Sequence, residues 1–197
     1  MIIEDRVAQI LKAEAEAISR VEVTPAFEKA ITALERCQGK VITTGMGKAG
    51  NIAAKFAATL CSTATPAAYL HPGEAMHGSL GLIGPEDCLV AFSTSGKTLE
   101  VVEMLELCRH LGLKTIIGVT SHPDSELRNL SDIILDMGEI EEPCPLGLTP
   151  SSSVAVMLAI SDALALVLME LKGVTKRDYG LRHHGGYLGR KARLENE

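Results

Sequence analysis

Five short runs rich in β-branched and apolar residues, at 40–44, 67–70, 88–93, 114–120 and 133–137, constrain this chain more than any other feature. Between them lie longer stretches with helical periodicity, at 49–61, 72–77, 99–111 and 124–130. Alternation of this kind pairs strands in parallel, because each helical crossover returns the chain to the same end of the sheet before the next strand begins. The expected fold class is therefore α/β: a three-layer α/β/α sandwich with a five-stranded parallel sheet, Rossmann-like in plan. Two helices should precede the sheet, one over 2–18 and one starting at Thr24-Pro25, where Thr caps and Pro suits the first turn. A hydrophobic content of 46% with only 3% aromatic residues and no Trp predicts aliphatic layers. A length of 197 residues suits one domain, expected to span 1–197.

A net charge of −6 argues against broad nucleic-acid contact, which relies on clustered Lys and Arg. An anionic ligand must then meet a local site. The five cysteines are widely spaced and mostly sit in apolar runs, which predicts buried free thiols and a reducing compartment, the cytoplasm. Met1-Ile-Ile-Glu-Asp-Arg lacks the basic start and apolar core of a signal peptide. The segment 154–171 approaches the ~20 apolar residues that span a bilayer. Ser161-Asp162 and Glu170 interrupt it, so a helix buried in a domain or subunit core is expected, and no membrane partner.

Parallel sheets bind ligands beyond the carboxyl ends of their strands, so the loops there carry the chemistry. After the first strand, Gly45-Met-Gly47-Lys48-Ala-Gly50 meets the G-x-G-x-x-G spacing of a dinucleotide site. The second strand leads into His71-Pro72-Gly73 without the ribose-binding acid, which speaks against that ligand. The other readings are a backbone approach to a ligand with Lys48 aimed at it, or a tight turn with a solvent lysine.

After the third strand comes Ser93-Thr94-Ser95-Gly96-Lys97-Thr98 and then a helix. Hydroxyls, a flexible glycine and the unpaired amides of a helix N-terminus make a cradle for phosphate. Simple capping would explain one hydroxyl and leave the others over.

His71 and His77 lack H-E-x-x-H spacing and a third evident ligand, so no metal is expected. Glu142 abuts the constrained Pro143-Cys144-Pro145 turn, which makes it the candidate carbon base among Glu139, Glu141 and Glu142. Ser151-Ser152-Ser153 opens the long apolar helix. Near the C-terminus, His183-His184-Gly-Gly offers an imidazole on a flexible basic arm.

Taken together, Gly45-Met-Gly-Lys48-Ala-Gly50, His71-Pro-Gly-Glu-Ala-Met-His77-Gly, Ser93-Thr-Ser-Gly96, Cys144-Pro-Leu-Gly-Leu-Thr-Pro150 and Gly185-Gly-Tyr-Leu-Gly-Arg-Lys191 resemble the sugar isomerase (SIS) domain of the arabinose-5-phosphate isomerase family. The likeness spans nearly the whole chain. SIS folds also serve amidotransferases and sugar-phosphate-sensing regulators, and the last two segments are the more specific. The resemblance implies conversion of D-ribulose 5-phosphate to D-arabinose 5-phosphate, feeding synthesis of the lipopolysaccharide sugar Kdo, by a homotetramer that needs no cofactor. It implies a functional quartet of Lys48, Glu100, Glu142 and His183, with Ser93, Thr94, Ser95, Gly96 and Thr98 on the phosphate. Gly47, His77, Ser151 and Ser152 would line the pocket.

Relatives often continue into two CBS domains, and a stand-alone form without them is expected here. Asn51 stands where relatives usually carry histidine, Lys97-Thr98 where they carry an acidic-polar pair, and His184 where they carry proline. A noncatalytic sugar-phosphate sensor and an isomerase of another ketose phosphate, such as a hexulose 6-phosphate, are the rival readings.

Overall fold

A computed structural model describes residues 1–194. Two helices, α1 (Ile3–Ser19) and α2 (Pro25–Glu35), precede the sheet, and α2 begins where expected, with the Thr24 hydroxyl accepting from the Ala26 amide at 3.4 Å. Then follow β1 (Val41–Gly45), α3 (Gly47–Ser62), β2 (Ala67–Tyr69), α4 (Pro72–Ala75), a 3-10 turn (Ser79–Leu82) and β3 (Cys88–Phe92). The sequence continues through α5 (Leu99–His110), β4 (Thr115–Thr120), α6 (Glu126–Leu130), β5 (Ile133–Asp136), α7 (Ser152–Leu171), α8 (Lys176–Arg182) and α9 (Gly186–Leu194). All five strands are parallel, in the order β2-β1-β3-β4-β5. The order reverses between β1 and β3, where a crevice must open beyond the strand ends.

Both faces of the sheet are covered, as the unbroken burial of β1 and β3 requires. Val41, Val90, Phe92, Ile117, Val119 and Leu135 pack against α1, α2, α3 and α7. Ile42, Leu89, Ala91 and Ile116 point the other way, onto α5 and α6. Alternate residues of one strand thus feed two separate cores, which gives the three layers their spacing. At the amino ends of the strands, buried Asp87 accepts from the Lys40 amide, the Lys40 ammonium and the Gly84 amide, each at 2.8 Å. Asp87 ties the start of β1 to the turn before β3.

Two expectations change. The basic C-terminal segment is helical rather than a flexible arm. Its first helix is fixed by a capping box, with the Thr175 hydroxyl and the Asp178 carboxylate satisfying each other's amides. Among the thiols only Cys88 and Cys108 are buried; Cys61 is exposed, and Cys37 and Cys144 are half-buried. Burial pushes Cys88 up to about 12 and Cys108 up to about 11, so both stay protonated. Helix α7 is long and apolar enough to cross a membrane, yet it packs on α1, α2 and α3, and Asp162 near its middle pairs with Lys55 of α3.

Candidate functional site

Beyond the carboxyl ends of β1, β3 and β4 lies a cavity of about 540 Å³. Met46, Lys48 and Ala49 reach it from the β1–α3 turn, Ser93, Thr94, Ser95 and Thr98 from the β3–α5 loop, and His122 from the end of β4. Gly147, Leu148, Pro150, Val154 and Met157 close it from the β5–α7 loop and α7. Among the described residues, none that lines it is acidic. The Lys48 ammonium makes no ion pair or hydrogen bond among the described residues, so it is available to a ligand.

The β1–α3 turn depends on its glycines. Gly47 takes φ +58°, and a Cβ on Gly50 would stand 2.5 Å from the Gly45 carbonyl oxygen. This brings α3 tightly against the strand and delivers Lys48 to the crevice. The β3–α5 loop is equally determined. Gly96 at φ +62° turns the chain so that its amide donates to the Ser93 hydroxyl at 3.1 Å. Ser93 and Thr98 share a hydroxyl contact of 3.0 Å, and the Ser95 hydroxyl accepts from the Lys97 amide at 3.2 Å. Thr98 caps α5 by backbone alone, which leaves the first-turn amides of α5 without side-chain acceptors. Helix N-terminal amides, hydroxyls and a lysine converge on one acid-free hollow, an arrangement suited to a phosphate monoester.

Of the residues singled out from sequence, Lys48, Ser93, Thr94, Ser95 and Thr98 line this cavity together. Gly47 and Gly96 shape its turns. Glu100, half-buried in the first turn of α5, does not line it. Nor does Glu142, whose carboxylate sits on the N-terminus of α7. There it accepts from the Ser151 amide at 2.8 Å, the Ser151 hydroxyl at 3.1 Å, the Ser152 amide at 2.8 Å and the Ser153 amide at 3.2 Å. Burial works against the charged form, yet the donors of Ser153 and Ser151 outweigh it and hold Glu142 below the usual carboxylate range. Ser151 and Ser152 are thus engaged with Glu142. His77 is exposed beyond α4, and His183 ends α8 with its ring stacked on Tyr179 at 5.2 Å. Neither lines the cavity in its own chain.

The Cys-Pro-Leu-Gly-Leu segment folds about its thiol. The Thr149 amide at 3.2 Å and the Leu148 amide at 3.3 Å both donate to Cys144 Sγ. Donors from Thr149 first, then Leu148, lower this thiol to about 7. The wrapped loop offers Gly147, Leu148 and Pro150 to the cavity wall. His122 is the polar lining residue that sequence reasoning missed. Its signal was available: Ser121-His122-Pro123 follows β4 directly, at the carboxyl edge where ligands bind.

Comparison with known proteins bears on this geometry. The SIS domain family matches residues 35–167. Arabinose 5-phosphate isomerase KdsD of Yersinia pestis is 41% identical over 94% of this chain and 57% of its own length. The Pseudomonas aeruginosa protein of the same name is 44% identical over 87% of this chain and 52% of its length. The chain thus spans little more than half the length of these curated relatives. Among solved structures, a putative phosphosugar isomerase involved in capsule formation from Bacteroides fragilis superposes with a TM-score of 0.90 at 43% identity, over 94% of this chain and 99% of that one. Escherichia coli CFT073 c3406, in complex with arabinose 5-phosphate, gives 0.87 at 37%, over 92% of this chain and 97% of that one.

Proposed function

The chain belongs to the SIS domain family, and on that premise we propose that it is an aldose–ketose isomerase interconverting D-ribulose 5-phosphate and D-arabinose 5-phosphate through a cis-enediol. The observation that carries this reading is the cavity, with no acidic residue among its described lining, in which the 93–98 loop and Lys48 meet. A dianion fits there with its charge met by oriented donors, leaving the carbon end of a pentose toward the β5–α7 loop. The relatives named for arabinose 5-phosphate, and the neighbour that holds this sugar phosphate, favour the pentose over a hexulose.

Isomerisation requires a base that moves a proton between C1 and C2, and groups that carry protons on O1 and O2. Lys48 and His183 assist ring opening and the oxyanion. Glu142 is the base expected from its rigid loop. The four donors on its carboxylate weaken it as a proton acceptor and suit a positioning role, which leaves Glu100, also off the cavity lining, as the other candidate for this step.

Glu142→Gln and Glu100→Gln separate the two roles. The variant lacking the base loses exchange of the C2 hydrogen with solvent, read by NMR in deuterium oxide. Exchange in both variants would eliminate both assignments. A panel of pentulose and hexulose phosphates tests the activity itself: aldose should form from ribulose 5-phosphate and not from the dephosphorylated pentulose. No aldose from any ketose phosphate, with binding retained, would make the protein a sensor. His77 and His183 lie off the cavity of their own chain, which supports assembly as a homotetramer whose neighbours complete each site. The reading also includes a cytoplasmic location and supply of arabinose 5-phosphate to Kdo synthesis.

A further inference from the structure

The Thr94 carbonyl, in the middle of the phosphate-binding loop, is gripped from the end of β4. The Ser121 amide donates to it at 3.1 Å, the Ser121 hydroxyl at 3.0 Å and the Thr120 hydroxyl at 3.1 Å. His122 Nδ1 lies 3.0 Å from the same oxygen. A carbonyl oxygen only accepts, so the proton of this contact is on Nδ1. The Ser121 hydroxyl stands 3.3 Å from the same nitrogen, and Nε2 is the second nitrogen of a ring lining the cavity beside Ser93, Thr94, Ser95 and Lys48; with Nδ1 donating, Nε2 donates to an anion only when it too carries a proton.

The residue is also held from behind. Its own carbonyl accepts from Arg128 Nε at 2.5 Å, and Arg128 is paired in turn with Asp136 at 2.5 Å. Pro123 further restricts its backbone. A side chain with one nitrogen committed to the loop and a braced backbone has little entropy left to lose when the other nitrogen meets a ligand.

We infer that His122, with a proton on each nitrogen, is a substrate-binding residue with two separable tasks: Nδ1–H positions the 93–98 loop through Thr94, and Nε2–H donates to the phosphate group of the substrate. This rests on the phosphate reading of the loop given above. His122 also lines a second hollow, of about 840 Å³, whose other walls include Glu22, Asp136 and Glu139. The imidazole therefore stands where an acid-free hollow meets an acidic one, and contributes a nitrogen rather than a carboxylate to the side that takes the anion.

Two isosteric substitutions separate the tasks. The amide of Asn overlays Nδ1, so His122→Asn keeps the tether to Thr94 and loses the phosphate contact; the amide of Gln reaches the Nε2 position, so His122→Gln does the reverse. The measurements are steady-state kinetics on ribulose 5-phosphate, competition by inorganic phosphate, and Tm. For His122→Asn the expected result is a rise of roughly tenfold in both KM and the inhibition constant of phosphate, the size of one charge-assisted hydrogen bond. Its kcat should fall less than about threefold and its Tm stay within about 2 °C. His122→Gln should recover the greater part of KM.

Wild-type KM and phosphate inhibition in His122→Asn would overturn the assignment. So would a KM that rises only as Tm falls in both variants, which would make the residue purely structural. Ser95→Asp, which sets a negative charge in the loop, distinguishes the two failures. If it abolishes phosphate inhibition while His122→Asn does not, the loop reading stands and His122 has no part in it; if it leaves inhibition intact, both readings fall.

Discussion

Gly96 satisfies two demands that no other residue meets together. Its φ of +62° lies in the left-handed region, and a Cβ there would collide with the Ser125 hydroxyl and stand 3.0 Å from that of Thr120. Gly96→Ala should therefore cost about 2 kcal/mol and lower Tm by roughly 4–8 °C, with KM for a sugar phosphate rising because the loop amides turn away. An unchanged Tm in thermal denaturation would contradict this.

Asp87 carries a different burden, far from the cavity. Burial alone would raise its pKa, but the Lys40 ammonium and the Lys40 and Gly84 amides outweigh burial and lower it. Its stabilisation is thus complete above the unfolded carboxylate range and is lost as pH falls through the lowered folded value. Asp87→Ala should cost about 2–3 kcal/mol at pH 7, less than a fully buried pair because Lys40 reaches solvent. Its gap from wild type should narrow as pH falls below the unfolded carboxylate range, about 4, where the unfolded chain takes up the proton before folded Asp87 does. A gap that stays constant down to pH 3 in acid titration would refute it. Gly96 was legible as a loop glycine but its crowding by Ser125 and Thr120 was not, and nothing local marked Asp87, because their partners lie in other elements.

Helices α7 and α8 show how far element-level reading reaches. The apolar run of α7 and the three serines opening it were plain in the chain, since helical patterning is local. Its cap was not, because Glu142 reaches Ser151–Ser153 across an irregular loop. Removing that cap in Glu142→Ala should cost about 1 kcal/mol, or roughly 2–4 °C in Tm. The folded pKa of Glu142 is lowered, so the loss should be full at neutral pH and shrink as pH falls below the unfolded range. Equal Tm values for Glu142→Ala and wild type at pH 7 would dismiss the cap. For α8 the signal was present, as Thr175 followed three residues later by Asp178, but the neighbouring glycines and basic residues read as an arm. Capping chemistry prevailed over composition.

For the molecule as a whole, the surface is less finished than the core. On α1, Ile3, Val7 and Leu11 are 68%, 51% and 63% exposed on one helical face, and on α7 Leu166 and Leu171 are 52% and 56% exposed. These stripes suit subunit contacts of the proposed tetramer. Leu11→Glu or Leu166→Glu should reduce the particle seen by light scattering and lower kcat in parallel, if neighbours complete the site. An intact tetramer in both variants would locate the contact elsewhere. The fold class, the five strands, the hydroxyl-rich loop at 93–98 and the lysine turn were all readable in the chain alone, because periodicity, turn chemistry and helix N-termini act over a few neighbouring residues. The acid-free character of the cavity, the seat of Glu142 on α7 and the entry of His122 depended on folding, because each joins residues from different strands and loops whose proximity arises only when the sheet assembles.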